Sequence, residues 1–87
     1  MNMQTAEIER DIRSFLVETF LFGNAGTLGN DEPLLGKVID SHGVVELVVF
    51  LQDHFSITVE DEEVVSENLD SVNRVVGFVT GKVARNL

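Results

Sequence analysis

The chain contains no cysteine, no tryptophan and no tyrosine among its 87 residues. The lack of cysteine excludes disulfide bonds, thiolate nucleophiles and thiolate-ligated zinc sites, and it fits a reducing compartment. Six phenylalanines are the only aromatic residues, although hydrophobic residues make up 44% of the chain. We therefore expect a single small domain over residues 1–87 with a mostly aliphatic core.

Basic residues are also scarce. Six Lys and Arg stand against fifteen Asp and Glu, which gives a formal net charge of −9. A charge of this sign repels nucleic-acid backbones and favours partners with basic docking surfaces. Solubility alone would explain the acidity equally well, so composition leaves both interpretations open.

Long hydrophobic runs are absent from the sequence. No segment approaches the roughly 20 apolar residues that a membrane span needs. Residues 1–5 have neither the basic part nor the apolar part of a secretory signal. We therefore expect no membrane insertion, no nucleic-acid partner and a monomer in the cytoplasm.

Hydrophobic periodicity predicts a first helix over residues 5–21, with Thr5 as its N-cap and Gly23-Asn24 as its stop. Apolar residues recur there at spacings of three and four: Ile8, Ile12, Phe15, Leu16 and Phe20. Residues 23–40 contain several glycines and the single proline. They predict a long loop that is packed onto the core by its own apolar side chains.

The second helix should begin at Asp40 or Ser41 and end near Phe55, because an apolar stripe recurs at helical spacing: Val44, Leu47, Val48, Leu51 and Phe55. A short third helix is expected around residues 61–66. The fourth helix has a second stripe: Val72, Val75, Val76, Val79 and Val83.

That fourth helix should begin at Asp70 or Ser71 as N-cap and fray near residues 81–85. The predicted fold is therefore all-α. It is a small four-helix bundle of three main helices and one short helix, with a long loop between helices 1 and 2.

The pair Asp40-Ser41 stands where the long loop meets the second helix. Both residue types favour helix N-termini, so a plain helix cap explains the pair without any chemistry. The chain even has a second such pair, Asp70-Ser71. If Ser41 is exposed, however, a phosphate ester on its hydroxyl would face free backbone N–H groups and the positive end of the helix dipole.

The chain resembles the acyl carrier proteins and the related peptidyl carrier domains over residues 8–83. The resemblance rests on Val38-Ile39-Asp40-Ser41 leading into the apolar helix 45–55, on the segment 57–63, and on the approach to the last helix at 67–72. It implies a carrier that is not an enzyme. Ser41 would receive 4′-phosphopantetheine from coenzyme A through a separate Mg²⁺-dependent phosphopantetheinyl transferase, and the arm would hold acyl or aminoacyl groups as thioesters.

The resemblance also implies roles for neighbouring residues. Asp40 matches the acidic residue that supports metal binding in the transferase complex. Glu46 and Asp53 match acidic positions that dock on basic surfaces of acyl- or aminoacyl-activating, transfer and condensing enzymes. The family usually has an apolar residue after the serine, and His42, which stands there, is expected at the docking face. The Ile-Asp-Ser start is similar to that of freestanding or aminoacyl-type carriers.

Two other functions compete with that of a carrier. In an acidic helical adaptor, Asp40-Ser41 would be only a cap and the second helix a protein-docking surface. A small hydrolase using Ser41 lacks a suitably placed base, because neighbours on a helix point about 100° apart. His42 and His54 lie roughly 18 Å apart along a helix and cannot share a metal.

Two further stretches indicate no specific site, although the first leaves weak adventitious cation binding open as a minor alternative. The acidic run 60–63 lacks the ligand spacing and central glycine of a calcium loop and is expected at a helix N-terminus. The glycine-rich stretch 23–29 has no lysine or serine at phosphate-loop spacing.

Overall fold

The structure is a computed structural model that describes residues 4–23, 26 and 28–85. Over these residues the chain forms four α-helices: α1 (Thr5–Phe20), α2 (Ser41–Phe55), α3 (Ser66–Leu69) and α4 (Val72–Arg85). The predicted all-α bundle of three main helices and one short helix, with a long connection between α1 and α2, is confirmed.

Some sequence-based expectations lie outside the described residues. They concern residues 1–3 of the segment tested for a secretory signal, Asn24 as part of the predicted end of the first helix, and residues 24, 25 and 27 of the glycine-rich stretch. None of the helices over the described ranges is both long enough and apolar enough to cross a membrane.

The core is formed by one face of each main helix together with the loop between α1 and α2. Its fully buried residues are aliphatic: Ile8, Ile12, Leu16, Leu34, Ile39, Leu47, Leu51, Leu69, Val72, Val75 and Val79. Phe55 is buried at their edge, whereas Phe15, Phe20 and Phe50 are only partly buried. The prediction of a mostly aliphatic core is therefore confirmed.

The loop between α1 and α2 is pinned to this core, as its apolar content predicts. Leu28, Leu34 and Ile39 are buried. The Arg13 side chain of α1 reaches the loop, where it donates to the Leu28 carbonyl at 2.6 Å and to the Asn30 side chain. These contacts hold the long connection in place and fix the point at which α2 begins.

The start of α1 differs slightly from the prediction. Its N-cap is Gln4 rather than Thr5, and the carboxylate of Glu7 accepts a hydrogen bond from the Gln4 backbone N–H at 3.2 Å. A carboxylate three residues after the cap satisfies that exposed N–H and favours the earlier start.

The third helix was predicted over residues 61–66 and lies elsewhere. A single 3₁₀ turn, Asp61–Glu63, is followed by Val64 and Val65 and then by α3. The Glu63 carboxylate reaches back to accept a hydrogen bond from the Glu60 backbone N–H at 2.9 Å, which caps the start of the turn. The β-branched Val65 is extended, with φ −136° and ψ 161°, and separates the two short elements.

The fraying predicted near residues 81–85 is also wrong, because α4 continues to Arg85. Lys82 forms an ion pair with Glu63 at 2.6 Å, and Arg85 approaches the same carboxylate at 4.0 Å. Positive charge in the last turn also complements the negative end of the helix dipole. The hydrogen bond from Lys82 lowers the pKa of Glu63 below its ordinary value.

Candidate functional site

Ser41 is the first residue of α2, and its side chain is exposed. Asp40 is the N-cap: its Oδ1 accepts a hydrogen bond from the Gly43 backbone N–H at 2.8 Å, and its carbonyl accepts one from the Val44 N–H at 3.0 Å. Among the described residues, the Ser41 hydroxyl takes part in no hydrogen bond. Asp40 therefore caps the helix and leaves the hydroxyl free at the positive end of the α2 dipole.

A tight turn immediately before α2 positions this corner. The Leu34 carbonyl accepts hydrogen bonds from the N–H groups of Val38 and Ile39, both at 2.9 Å, and the Gly36 N–H donates to the Ile39 carbonyl at 2.8 Å. Gly36 has φ +83°, a conformation that favours glycine. Because Leu34 and Ile39 are also buried, Asp40 and Ser41 extend from a fixed base.

The carboxylate of Asp70 holds the other side of that turn. Its Oδ1 accepts hydrogen bonds from the backbone N–H groups of Leu34 at 3.2 Å and Leu35 at 2.9 Å, while the Asp70 carbonyl also accepts from Leu34 at 2.9 Å. The next residue, Ser71, is buried, and its hydroxyl accepts from the Arg74 backbone N–H at 3.1 Å. Both side chains of the second Asp-Ser pair therefore form hydrogen bonds that stabilise the fold.

Gly43 is a buried residue of α2 that the sequence reasoning did not single out. A Cβ atom at this position would lie 2.8 Å from Ile39 Cγ2 and 2.9 Å from Phe20 Cε1. The side chains of Ile39 and Phe20 therefore pack against the backbone of the first turn of α2 more closely than a side chain at position 43 would permit. A glycine in the first turn of an otherwise apolar helix is the sequence signal for such a close approach.

The predicted docking residues lie on the exposed surface of α2. The His42 side chain is 84% exposed, and its Nε2 lies 3.5 Å from Glu46 Oε1, one turn further along. Asp53 is exposed about two turns beyond Glu46. The structure therefore brings His42 and Glu46 together and places Asp53 further along the helix.

Two exposed valines of α2, Val45 and Val49, were also missed as surface features. Their signal was present in the sequence, because both fall outside the stripe of apolar residues that predicted the buried face of the helix. The exposed surface of α2 is therefore apolar as well as acidic.

A depression of about 360 Å³ adjoins the corner formed by Asp40 and Ser41. It is bounded on the loop side by residues 36–40 and on the helix side by His42 and Glu46. Lys37 and His42 line its walls together with the carboxylates of Asp40 and Glu46, so the depression has both basic and acidic side chains.

The acidic run 60–63 forms no metal site over the described residues, where no group of three or more potential ligands comes together. Glu63 is engaged by Lys82 and by the Glu60 backbone N–H. The negative charges of the run thus lie at the start of a short 3₁₀ turn, which agrees with the predicted place of the run at a helix N-terminus.

No family model matches the chain. Over 75 residues it is 31% identical to the D-alanyl carrier protein of Streptococcus mutans, and the aligned part covers 85% of this chain and 92% of that protein. Over 44 residues it is 46% identical to the acyl carrier protein of Exiguobacterium sibiricum, which covers 51% of this chain and 53% of that protein. Because the similarity to the first of these relatives spans most of both sequences, the chain belongs to the carrier protein family.

Proposed function

We propose that this chain carries acyl or aminoacyl groups as thioesters on a 4′-phosphopantetheine arm attached to the Ser41 hydroxyl. One observation supports the proposal best: Ser41, the residue after the Asp40 cap, is exposed, and its hydroxyl makes no hydrogen bond among the described residues. An oxygen in this position is accessible to a modifying enzyme. Attachment also breaks no hydrogen bond among the described residues, so the fold can accept the arm without rearrangement.

The surroundings of Ser41 suit a phosphate ester. Backbone N–H groups of the first turn of α2 and the positive end of its dipole lie beside the hydroxyl. Lys37 and His42 line the adjoining depression beside the carboxylates of Asp40 and Glu46, so it is the backbone N–H groups that favour the phosphate. The arm would supply the thiol that a chain without cysteine lacks.

Asp40 is assigned a supporting role in attachment. Its Oδ1 caps α2, and the residue is exposed, so its carboxylate remains accessible from solvent. Carboxylate oxygens are preferred ligands of Mg²⁺. We infer that Asp40 contributes to the metal site that forms when a phosphopantetheinyl transferase binds this corner.

Catalysis is left to the partners. Both relatives are named as carriers, and carrier proteins are not themselves enzymes, which agrees with the prediction that this chain is not one. In the structure His42 contacts Glu46. We infer that acyl- or aminoacyl-activating, transfer and condensing enzymes use basic surfaces of their own to dock on Glu46 and Asp53 of this chain. His42 would lie at the edge of that contact.

Intact mass spectrometry tests the attachment. The purified chain is incubated with coenzyme A, Mg²⁺ and a broad-specificity phosphopantetheinyl transferase, and we expect it to gain one phosphopantetheinyl group. Ser41→Ala should gain none while keeping the wild-type free energy of unfolding. If several transferases leave the wild-type mass unchanged, the carrier proposal fails and the acidic adaptor takes its place.

A further inference from the structure

The last turn of α1 leads into two consecutive residues with positive φ, Phe22 at 52° and Gly23 at 86°. The backbone N–H groups of Leu21 and Gly23 both donate to the Val17 carbonyl, at 3.1 and 3.0 Å, and close the end of the helix. Val17 is buried, so this turn is fixed to the core. A bulky residue rarely adopts the left-handed conformation, which glycine adopts without strain. Phe22 therefore stands where the backbone favours glycine.

The Phe22 side chain is 96% exposed. A single exposed apolar residue is common on protein surfaces and needs no explanation by itself. At Phe22, however, the backbone conformation is unfavourable and the ring gains almost nothing from burial in return. Within the described part of the chain, the other non-glycine residue with positive φ is Ser56, whose side chain is small and polar. An aromatic ring at position 22 thus has no advantage for this fold, which indicates a contact outside the chain.

Phe22 lies at the Ser41 end of the bundle. Thr19 and Phe20, in the last turn of α1, line the same depression as Asp40. Two residues of chain span at most about 7 Å, so Phe22 stays close to Phe20. A specific protein interface covers roughly 800 Å² on each partner, which corresponds to a patch about 16 Å in radius. An enzyme centred on Ser41 would therefore reach the end of α1.

The position of the ring selects its partner. A second copy of this chain is disfavoured by the net charge of −9. A protruding ring also offers no concave site for a small ligand. Enzymes that act on the cargo meet the far end of the arm, so they need not be centred on Ser41. The phosphopantetheinyl transferase differs from them, because it forms the bond to the Ser41 oxygen and must cover this corner.

We propose that the Phe22 ring inserts into an apolar pocket of the phosphopantetheinyl transferase and holds the Ser41 corner in place on that enzyme. The inference rests on the proposed function and adds a contact at the end of α1 to the docking residues of α2. Aromatic anchors that fill pockets contribute much of the binding energy of protein interfaces. Because the turn at Val17 already fixes the backbone of Phe22, the ring is preorganised for insertion.

Phe22 takes no part in the chemistry of loading. In that reaction the Ser41 oxygen forms a bond to the phosphorus of coenzyme A nearest the pantetheine. The diphosphate P–O bond breaks, adenosine 3′,5′-bisphosphate leaves, and the hydroxyl proton passes to a base of the transferase. Phe22 is therefore a positioning residue, and its removal should weaken binding of the chain rather than slow the chemical step.

Steady-state kinetics of loading test the proposal, with the carrier chain as the varied substrate and its intact mass as the readout. Of several transferases, the one with the lowest KM for the wild-type chain is used. Phe22→Gly should raise the KM for the chain about tenfold and leave kcat within about twofold of the wild type. Phe22→Leu, which keeps an apolar side chain, should restore most of the lost affinity.

Unfolding of the same variant separates binding from folding. Phe22→Gly should raise the midpoint of urea unfolding by roughly 0.5 M, because glycine adopts the left-handed conformation without strain. The matched control is Ser56→Gly, at the opposite end of α2 from Ser41. It should also raise the midpoint but leave the KM unchanged. A loss of affinity in a stabilised chain is then not caused by damage to the fold.

Calorimetry measures binding without turnover. Ser41→Ala is titrated into the transferase with coenzyme A and Mg²⁺, and adding Phe22→Gly should weaken its binding about tenfold. Unchanged KM and affinity would overturn the inference, and so would destabilisation by Phe22→Gly, which would show that the ring serves the fold. Self-association of the wild type that Phe22→Gly abolishes would assign the ring to a second copy and also overturn it.

The loading assay keeps this inference distinct from the proposed function. A wild-type chain that loads with a KM insensitive to Phe22 contradicts the inference alone. A wild-type chain that no transferase loads contradicts the proposed function and this inference together.

Discussion

The two Asp-Ser pairs of this chain stand at the starts of α2 and α4 and differ by one residue in register. In the first pair Asp40 is the cap, accepting from Gly43 three residues later, and Ser41 is already inside the helix. In the second pair Ser71 is the cap, accepting from Arg74 three residues later, and Asp70 lies outside the helix. The same dipeptide therefore places its serine hydroxyl in two different environments.

This shift of one residue separates the proposed attachment site from a structural helix cap. The Ser71 hydroxyl is buried and occupied by its capping hydrogen bond, so a modifying enzyme cannot reach it. Ser41 is exposed and is relieved of capping by its neighbour. Asp70, freed from capping, holds the turn that presents Ser41. The second pair thus holds the turn that positions the first pair.

The largest effect should come from Asp70→Ala. It removes the acceptor of two backbone N–H groups in a partly buried turn, and we expect the free energy of unfolding to fall by about 2 kcal/mol. Asp40→Ala removes one capping hydrogen bond and should cost about 1 kcal/mol. Urea denaturation of both variants checks the order. A larger loss for Asp40→Ala would show that the two roles are assigned the wrong way round.

Next in size is Gly43→Ala, at the third position of α2. Overpacking against Ile39 and Phe20 costs about 1–3 kcal/mol, and the gain in helix propensity returns up to about 1 kcal/mol, so a net loss of about 1–2 kcal/mol is expected.

The control for that variant is Gly77→Ala in α4, where no atom lies within 4 Å of the added Cβ. It should raise the free energy of unfolding by about 0.5–1 kcal/mol. Thermal and urea unfolding measure both changes. Stabilisation by Gly43→Ala would contradict the close packing of Ile39 and Phe20 against the α2 backbone.

The serines themselves give the most direct structural contrast. Ser71→Ala removes a buried cap and should lower the free energy of unfolding by about 1 kcal/mol. Ser41→Ala should change it by less than about 0.5 kcal/mol, because an exposed hydroxyl that makes no hydrogen bond in the described structure is removed and alanine is a better helix former. Equal losses in urea unfolding would mean that Ser41 also acts as a cap.

Acid should weaken the region around α4 through Glu63. The hydrogen bond from Lys82 lowers the pKa of Glu63 from its ordinary value of 4.5, so the stabilisation is present above about pH 4.5 and is lost as the pH falls through the lower folded-state value. We expect Lys82→Met to flatten this part of the pH profile of unfolding.

Lys37→Met serves as the control for that profile, since Lys37 forms no ion pair within the described ranges. It should keep the wild-type dependence on pH. If both variants lose stability in parallel with the wild type between about pH 5 and 3, the pair between Lys82 and Glu63 is not responsible for the acid sensitivity.

The smallest effect on stability is expected for His42→Leu, which changes the residue after the exposed serine. The contact between His42 and Glu46 lies on the surface, so the free energy of unfolding should change by less than about 0.5 kcal/mol. The rate of modification by a generic transferase should rise, because an apolar residue is usual at this position in the family. Slower modification of this variant, followed by mass spectrometry, would contradict the interpretation of His42.

Much of the fold was predictable because it depends on local spacing. The stripes ending in Phe55 and Val83 located α2 and α4, and the glycines and proline of residues 23–40 located the long connection. The extent of α4 was not predictable in the same way, since Arg85 and Lys82 are held by Glu63 on another element. Long-range ion pairs leave no periodic signal in the sequence.

The register of the two Asp-Ser pairs illustrates the same limit at the site. Sequence propensity permitted Asp or Ser as cap in both pairs, because both residue types cap helices well. At the second pair the decision depends on Leu34 and Leu35, which lie 36 and 35 residues away from Asp70. Only the folded chain brings these residues together and so frees Ser71 to cap.

The most direct test of the account is to locate the attached group within the chain. The wild type, Ser41→Ala and Ser71→Ala are each incubated with coenzyme A, Mg²⁺ and the transferase, and peptide fragmentation by mass spectrometry then identifies the modified residue. We expect one phosphopantetheinyl group on Ser41 in the wild type and in Ser71→Ala, and none in Ser41→Ala. A group found on Ser71, or loading that survives in Ser41→Ala, would contradict it.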